Sequence, residues 1–307
     1  MRVTHRLLSE SLITLLGRDL ERLRRVQERI ATGRNYRAPS ENPIATAQIV
    51  RYTGKMAESA QYRRTVDTGV IWNEMTSSTL AHVEELLMEI LDVSERVSDS
   101  STTSAERVQA AVGVNSLLEE LVMAANRKFN DKYLFGGTET LTVPFTANYD
   151  GANAFVTGVT QNPDGIGGVW SYLVSEVDTV TINTPGDEVF QPNGEAATDD
   201  VFQIAVRLRQ ALQSQDFDAM ALEEGRLRDA ILRVTSVDSR VGNRINHLES
   251  VGEAVDAEAL AYNEQRSRLE DTDIAKAIIE FNMADNIYQA ALASTARILG
   301  LSLVNFL

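Results

Sequence analysis

LITLLGRDLERLRRVQERI, residues 12–30, is the stretch on which the fold turns. Leu12, Leu16, Leu20, Leu23, Val26 and Ile30 recur at steps of three and four, which is the spacing of one face of an α-helix. The remaining positions are largely charged, with Arg18, Arg22, Arg24, Arg25 and Arg29 dominating. A long helix draws most of its stability from packing its apolar face, so this one needs a partner. The far end of the chain offers one. Ile274, Ile278, Phe281, Tyr288, Leu292, Leu299 and Phe306 share a helical face, with Asp285 and Thr295 as polar breaks. The two ends also differ in charge. Residues 1–54 hold ten Arg against five acids, and residues 244–307 hold five bases against ten acids. Such pairs add little stability singly, but they help to choose partner and register.

Working inward, Gly33 after Thr32 is a helix stop, NYRAPSENP reads as a structured loop, and Asn42–Pro43 reads as an N-cap with a first-turn proline. From Pro43 to about Val97 the pattern is helical again. Leu80, Val83, Leu87, Ile90 and Val97 hold its seam, and Ser94 interrupts it. In the polar turn SDSSTTSAE, Thr103 and Glu106 have the spacing of a capping box. Val108, Ala111, Asn115, Leu118, Val122, Ala125 and Phe129 then continue in heptad steps.

Residues 133–206 are different in kind. They contain no Lys or Arg, ten acids and the turn sequences YDG, NPDG, TPGD and QPNG. Strand-like runs lie between the turns, at Ala154–Val159, Val169–Val174 and Val177–Ile182. Helix returns near Asp200. Met220, Leu227, Ile231, Val234, Val241, Ile245 and Leu248 form its seam, which Glu224 and Asp238 break and which continues toward Val255 and Tyr262. The expected fold is mainly α: a long antiparallel helical bundle or coiled-coil rod formed by both chain ends, with a small β-rich domain inserted in the middle. The expected divisions are an inner domain of 1–42 and 270–307, a helical rod of 43–135 and 200–269, and an outer domain of 136–199.

Composition narrows the function. A net charge of −15 argues against nucleic acid, whose phosphates need a cationic face. The absence of Cys removes disulfides, thiolate metal sites and a cysteine nucleophile, and suits a chain that crosses between redox compartments. No run of 18 apolar residues occurs, so no membrane span is expected. The patch Leu12–Leu16 is too short for a secretory signal, so any export is expected to proceed without a cleaved one. His5, His82 and His247 lack ligand-spaced partners, so no metal or cofactor is expected. Two acids of the insert could form a glycosidase-type pair, which keeps a surface enzyme open as a rival, but turn-forming and solvated acids are the plainer reading. The arginine-rich helix suits either an anionic membrane or an acidic helix of a neighbour, and the acidic C-terminal region favours the neighbour.

RIATGRNYRAPSENPIATAQ, residues 29–48, resembles the N-terminal signature of the flagellin superfamily. The resemblance rests on Thr32, Gly33, Arg34, Pro39, Ser40, Glu41, Asn42 and Pro43, with Asn42 where an Asp is usual. RSRLEDTDIAKAI, residues 266–278, resembles the signature before that superfamily's last helix. NDKYLFGGTETLTVPF at 130–145, TINTPGDEVFQ at 181–191 and the ending LGLSLVNFL are closer to the hook–filament junction members than to filament flagellin. The resemblance implies a non-enzymatic structural subunit of the bacterial flagellum, exported without a signal peptide and lying outside the cell. It implies contacts with hook-associated protein 1 beneath, flagellin above and further copies of itself, and an export chaperone on the C-terminal helix. Bulk flagellin is the nearest alternative. The expected assembly interface is Leu12, Leu16, Leu20, Leu23 and Ile30 against Ile278, Phe281, Tyr288, Leu292, Leu299 and Phe306. The loop Thr32, Gly33, Arg34, Pro39, Ser40, Pro43 is expected to set the angle between the inner helices and the rod.

Overall fold

The computed structural model describes residues 2–99, 102–151 and 155–304; for 2–9 and 298–304 it describes the backbone alone. Long helices occupy both ends: α1 (Arg2–Thr32), α2 (Pro43–Glu95) and α3 (Ser104–Ala125) before the insert, α5 (Val201–Ser214), α6 (Phe217–Glu270) and α7 (Ile274–Val304) after it. The middle holds β1 (Lys128–Phe129), β2 (Lys132–Tyr133), β3 (Phe145–Tyr149), β4 (Val156–Gln161), β5 (Ser171–Leu173), β6 (Thr179–Thr181) and the short α4 (Gly186–Phe190). The chain divides into two compact units, residues 59–256 and residues 1–58 with 257–307, and the division falls within α2 and within α6.

Among the described residues of the unit 59–256 the strands form three separate antiparallel hairpins rather than one sheet. A lone hairpin is marginal in water, so each must lean on something else. Here they lean on helices, with β3 and β4 against α3 and β4 against α5. The β1–β2 turn places Asn130 and Asp131 both at positive φ, 48° and 62°, the geometry of a two-residue hairpin turn. Sequence reading passed over this hairpin and over β3, although Asn-Asp between strand-forming residues was the available signal.

The centre of this unit is α5, buried on nearly every side. Phe202 on α5 stacks on Phe190 of α4 at 5.3 Å between ring centres, and Phe145 of β3 lies 5.2 Å from both. Burying one such side chain contributes about 1.5–3 kcal/mol. Asp200 caps α5 by accepting from Phe202 N and Gln203 N at 3.0 and 3.1 Å, and also accepts from Gln191 Nε2 and Ala196 N. Burial of the carboxylate pushes its pKa up, and those donors oppose the shift. Thr103 and Glu106 form the reciprocal capping box expected at the start of α3.

The helix expected from Asp200 onward breaks once. Gln215 adopts a left-handed conformation that ends α5, and Asp216 restarts the chain as α6 by accepting from Ala219 N at 3.0 Å. The polar breaks in the long seams then find one another. Ser94 of α2 donates to Glu224 of α6 at 2.7 Å, Ser98 donates to the same oxygen at 2.8 Å, and Ser77 donates to Asp238 at 2.6 Å. Any sliding of α2 along α6 would strand buried Ser94 and Glu224 and break the half-buried Ser77–Asp238 pair, so these contacts set the register. Asn115, the polar member of the α3 seam, accepts from buried Arg209 at 2.8 Å and from Val156 N at 3.0 Å, joining α3, α5 and β4. The core runs without interruption from the helices into the hairpins.

By length and composition α3 is apolar enough to cross a membrane. Its buried residues, among them Ala111, Val114, Leu118, Leu121 and Ala125, belong to the core that it shares with α5, which accounts for its apolarity.

Candidate assembly surface

In the other unit, α1 and α7 pack against one another. Gly33, at φ +69°, ends α1 and turns the chain. Arg34 then bridges Asp271 in antiparallel fashion, Asn35 N donates to Glu270 O at 2.7 Å, and Thr272 N donates to Gly33 O at 2.8 Å. The Asn35 side chain closes the joint, donating to Asp271 O and accepting from Thr272 Oγ1 at 3.0 Å. Two ion pairs lie beside it, Arg29–Glu280 at 2.9 Å and Arg34–Glu270 at 3.1 Å. The end of α1 and the start of α7 are thereby held together, so the helices run antiparallel.

The loop that follows is equally built. Asn42 caps α2 by accepting from Ala45 N at 3.0 Å, and its amide donates to the Tyr36 hydroxyl at 3.1 Å. An Asp at this position would have no N–H to give Tyr36. Arg37 N donates to Glu41 at 2.9 Å, while Pro39 and Ser40 are exposed. A cleft of about 520 Å³ opens beside the loop, lined among others by Arg25, Arg29, Arg34, Tyr36 and Arg37.

Along α1, Leu12, Leu16, Asp19, Leu23, Val26 and Ile30 form a less exposed seam in alternating steps of four and three, which Gly33 continues just past the helix end; Glu21, Glu28 and Arg29 are also half-buried, beside that seam. Along α7 the matching seam is Ala277, Phe281, Ala284, Tyr288, Ala291 and Thr295, in the same alternation, with half-buried Glu280 and Asp285 beside it. Of the expected interface residues, Leu12, Leu16, Leu23 and Ile30 stand on the first seam, and Phe281 and Tyr288 on the second. Leu20, Ile278 and Leu292 stand off the seams, 50 %, 44 % and 43 % exposed. The Leu299 side chain and Phe306 lie outside the described residues. Sequence reading sought large residues on α7 and missed Ala277 and Ala284, which are the most buried positions there. Their spacing of seven was the signal.

Small residues at Ala277, Ala284 and Ala291 alternate with Phe281 and Tyr288 on the α7 seam, and the long aliphatic residues are left facing outward. Ile274, Ile278, Ile279, Met283, Ile287 and Leu292 of α7 and Ile13, Leu15 and Leu20 of α1 are all exposed. This much outward aliphatic surface on one helix pair is characteristic of a contact site. The polar side of α1 is braced locally. Arg24 lies between Glu21 and Glu28 at 2.9 and 2.8 Å. Hydrogen bonds from Arg24 and Arg25 hold the Glu21 carboxyl down at about 2. Among the described residues no group of three His, Cys, Asp or Glu could hold a metal ion.

Two family models match the chain. The bacterial flagellin N-terminal helical region covers residues 3–140 and the bacterial flagellin C-terminal helical region covers residues 225–307. The flagellar hook-associated protein 3 of Escherichia coli K12 is 24 % identical over 290 residues, which is 90 % of each chain. Its namesake from Salmonella typhimurium is 21 % identical over 325 residues, covering 99 % of this chain and 98 % of that protein. The crystal structure of flagellar hook-associated protein 3 from Legionella pneumophila superposes with a TM-score of 0.61 at 14 % identity, covering 72 % of this chain and 98 % of that one, and so shares its fold.

Proposed function

Because the chain belongs to the bacterial flagellin family, we propose that it is a structural subunit of the flagellum, joining hook to filament through packing of its N- and C-terminal helices. The observation that carries this reading is the extent of the relatives' likeness. Proteins named hook-associated protein 3 align through the β insert as well as the helical ends, over nine-tenths of both chains or more. The insert is where members of one helical family have most freedom to differ.

In this reading the outward residues of α1 and α7 are the adhesive surface, and the chain does mechanical rather than catalytic work. Leu20, Ile278 and Leu292 contact neighbouring copies, while Leu12, Leu16, Leu23, Ile30, Phe281 and Tyr288 serve the pair within the chain. Leu299 and Phe306 are assigned to the same assembly interface in this reading. Residues 1–42 with 270–307 form the inner domain, 43–135 with 200–269 the rod and 136–199 the outer domain. The loop Thr32–Pro43 sets the angle between inner helices and rod. The neighbours are hook-associated protein 1 on one side, flagellin on the other and further copies around the ring. An export chaperone holds the C-terminal helix before the chain leaves the cell, without a cleaved signal peptide, for the outside.

The test is a strain lacking this chain. Such cells should carry complete hooks and shed flagellin into the medium, and the wild-type chain should restore attached filaments. Attached filaments in the deletion strain would overturn the reading, and so would purified chain growing long filaments alone.

A further inference from the structure

The arginines of α1 are not equally occupied. Arg24 is held by Glu21 and Glu28, Arg25 by Glu21, and Arg29 by Glu280. Arg18 and Arg22 are exposed and have no ion pair or hydrogen bond among the described residues. With Arg25 they follow steps of four and three along one face of α1, and all three line a shallow groove of about 460 Å³. Glu21 also lines it, but two arginines already neutralise that carboxylate. Gly17 forms part of the floor, where no side chain obstructs a neighbour.

A complementary face exists on α6. Glu249, Glu253 and Asp256 follow steps of four and three, and all are exposed. Glu249 and Glu253 have no partner among the described residues, and Asp256 shares Arg63 with Asp67. The two triplets have equal spans. Run antiparallel, Arg18 falls opposite Asp256 and Arg25 opposite Glu249 across spans of about 10 Å, and Arg22 meets Glu253 one residue, about 1.5 Å, out of step, well within the reach of the two side chains.

We propose that the groove of Arg18, Arg22 and Arg25 on α1 of one copy receives the Glu249–Glu253–Asp256 face of α6 from a second copy. The pairing is heterologous, each copy offering one face to each neighbour, so it propagates around or along an assembly instead of closing a pair. It adds direction and register to the apolar packing of the helical ends. It rests on the junction reading, because only an assembled chain brings two copies together.

The chain has no Cys, so introduced thiols report without background. Cells lacking the native chain would express Arg22→Cys and Glu253→Cys full-length chains together, and isolated flagella would be treated with a short bismaleimide. The expected product is a dimer of the two variants. Gln27→Cys, on a different face of α1, should give none with Glu253→Cys. In parallel, Arg18→Glu with Arg22→Glu should lose attached filaments, and co-expressing a chain with Glu253→Arg and Asp256→Arg should recover them. Filaments that stay attached with the reversed arginines, or cross-linking no better than the Gln27→Cys control, would overturn the pairing and leave the junction reading intact. Failure of the wild-type chain to restore filaments would instead remove the junction reading. Attachment lost with the arginine reversal but not recovered by the acidic reversal would assign the groove to another partner and overturn the proposal.

Discussion

Single residues in this chain carry register more than bulk stability. Ser94 and Glu224 are buried polar groups in otherwise apolar seams, tolerable because Ser94 donates to Glu224 at 2.7 Å and Ser98 donates to the same oxygen. Ser94→Ala should cost about 1 kcal/mol, since it weakens the satisfaction of a buried carboxylate. Ser94→Ala combined with Glu224→Leu should be closer to wild type than Glu224→Leu alone, as read by urea denaturation; equal losses would show that the groups are uncoupled. Asp200 supplies a pH signature. Burial raises its pKa, so the folded chain holds its proton more tightly than the unfolded chain does. Its contribution is therefore complete below the ordinary aspartate value and declines as pH rises through the raised one. Measured from pH 3 to 6, wild type should lose stability with rising pH relative to Asp200→Asn, and an unchanged difference would refute the assignment.

Among the elements, the hairpins show what a short segment can and cannot specify. Asn130 and Asp131 both occupy left-handed backbone, which an Asn-Gly pair accommodates better than Asn-Asp. Asp131→Gly should therefore raise stability by about 0.5 kcal/mol, seen as a higher denaturation midpoint. The α7 seam makes the opposite point. Ala284 is buried against its partner helix, so Ala284→Leu should overpack it at a cost of about 1–3 kcal/mol. Met283→Ser, one residue away and exposed, should leave the melting temperature unchanged yet weaken filament attachment. If both substitutions acted alike, the division between inward and outward faces would be wrong. Helices α1 and α7 were legible because amphipathic periodicity survives over thirty residues. The break at Gln215 was not, because a single left-handed residue leaves no periodic trace.

At the scale of the whole molecule, residues 59–256 form a compact unit with their own core, and the chain termini belong to the other unit. Removing residues 290–307 should abolish joining while leaving the fold of 59–256 intact. Circular dichroism should fall only by the helix removed, and a wider loss would contradict the independence of the two units. The family signatures at 29–48 and 266–278 were legible as motifs, and the structure places their ends at one joint, where Gly33, Arg34 and Asn35 bond with residues 270–272. Spacing along the chain could not show that meeting.

The sequence by itself determined where the helices lie, that they carry apolar seams, that the middle is turn-rich, and which family the ends resemble. Those properties are local, written in periods of three and four or in runs of Gly, Pro and Asp. Only the tertiary structure decided which apolar residues face inward. On α7, alanines alternate with Phe281 and Tyr288 on the inner seam and the isoleucines were left outside, because the places where the helices approach most closely admit only small side chains. It also decided that Ser94 answers Glu224 and that Arg18 and Arg22 are left unanswered. Those outcomes depend on which helices become neighbours, and a periodic pattern carries no record of its partner.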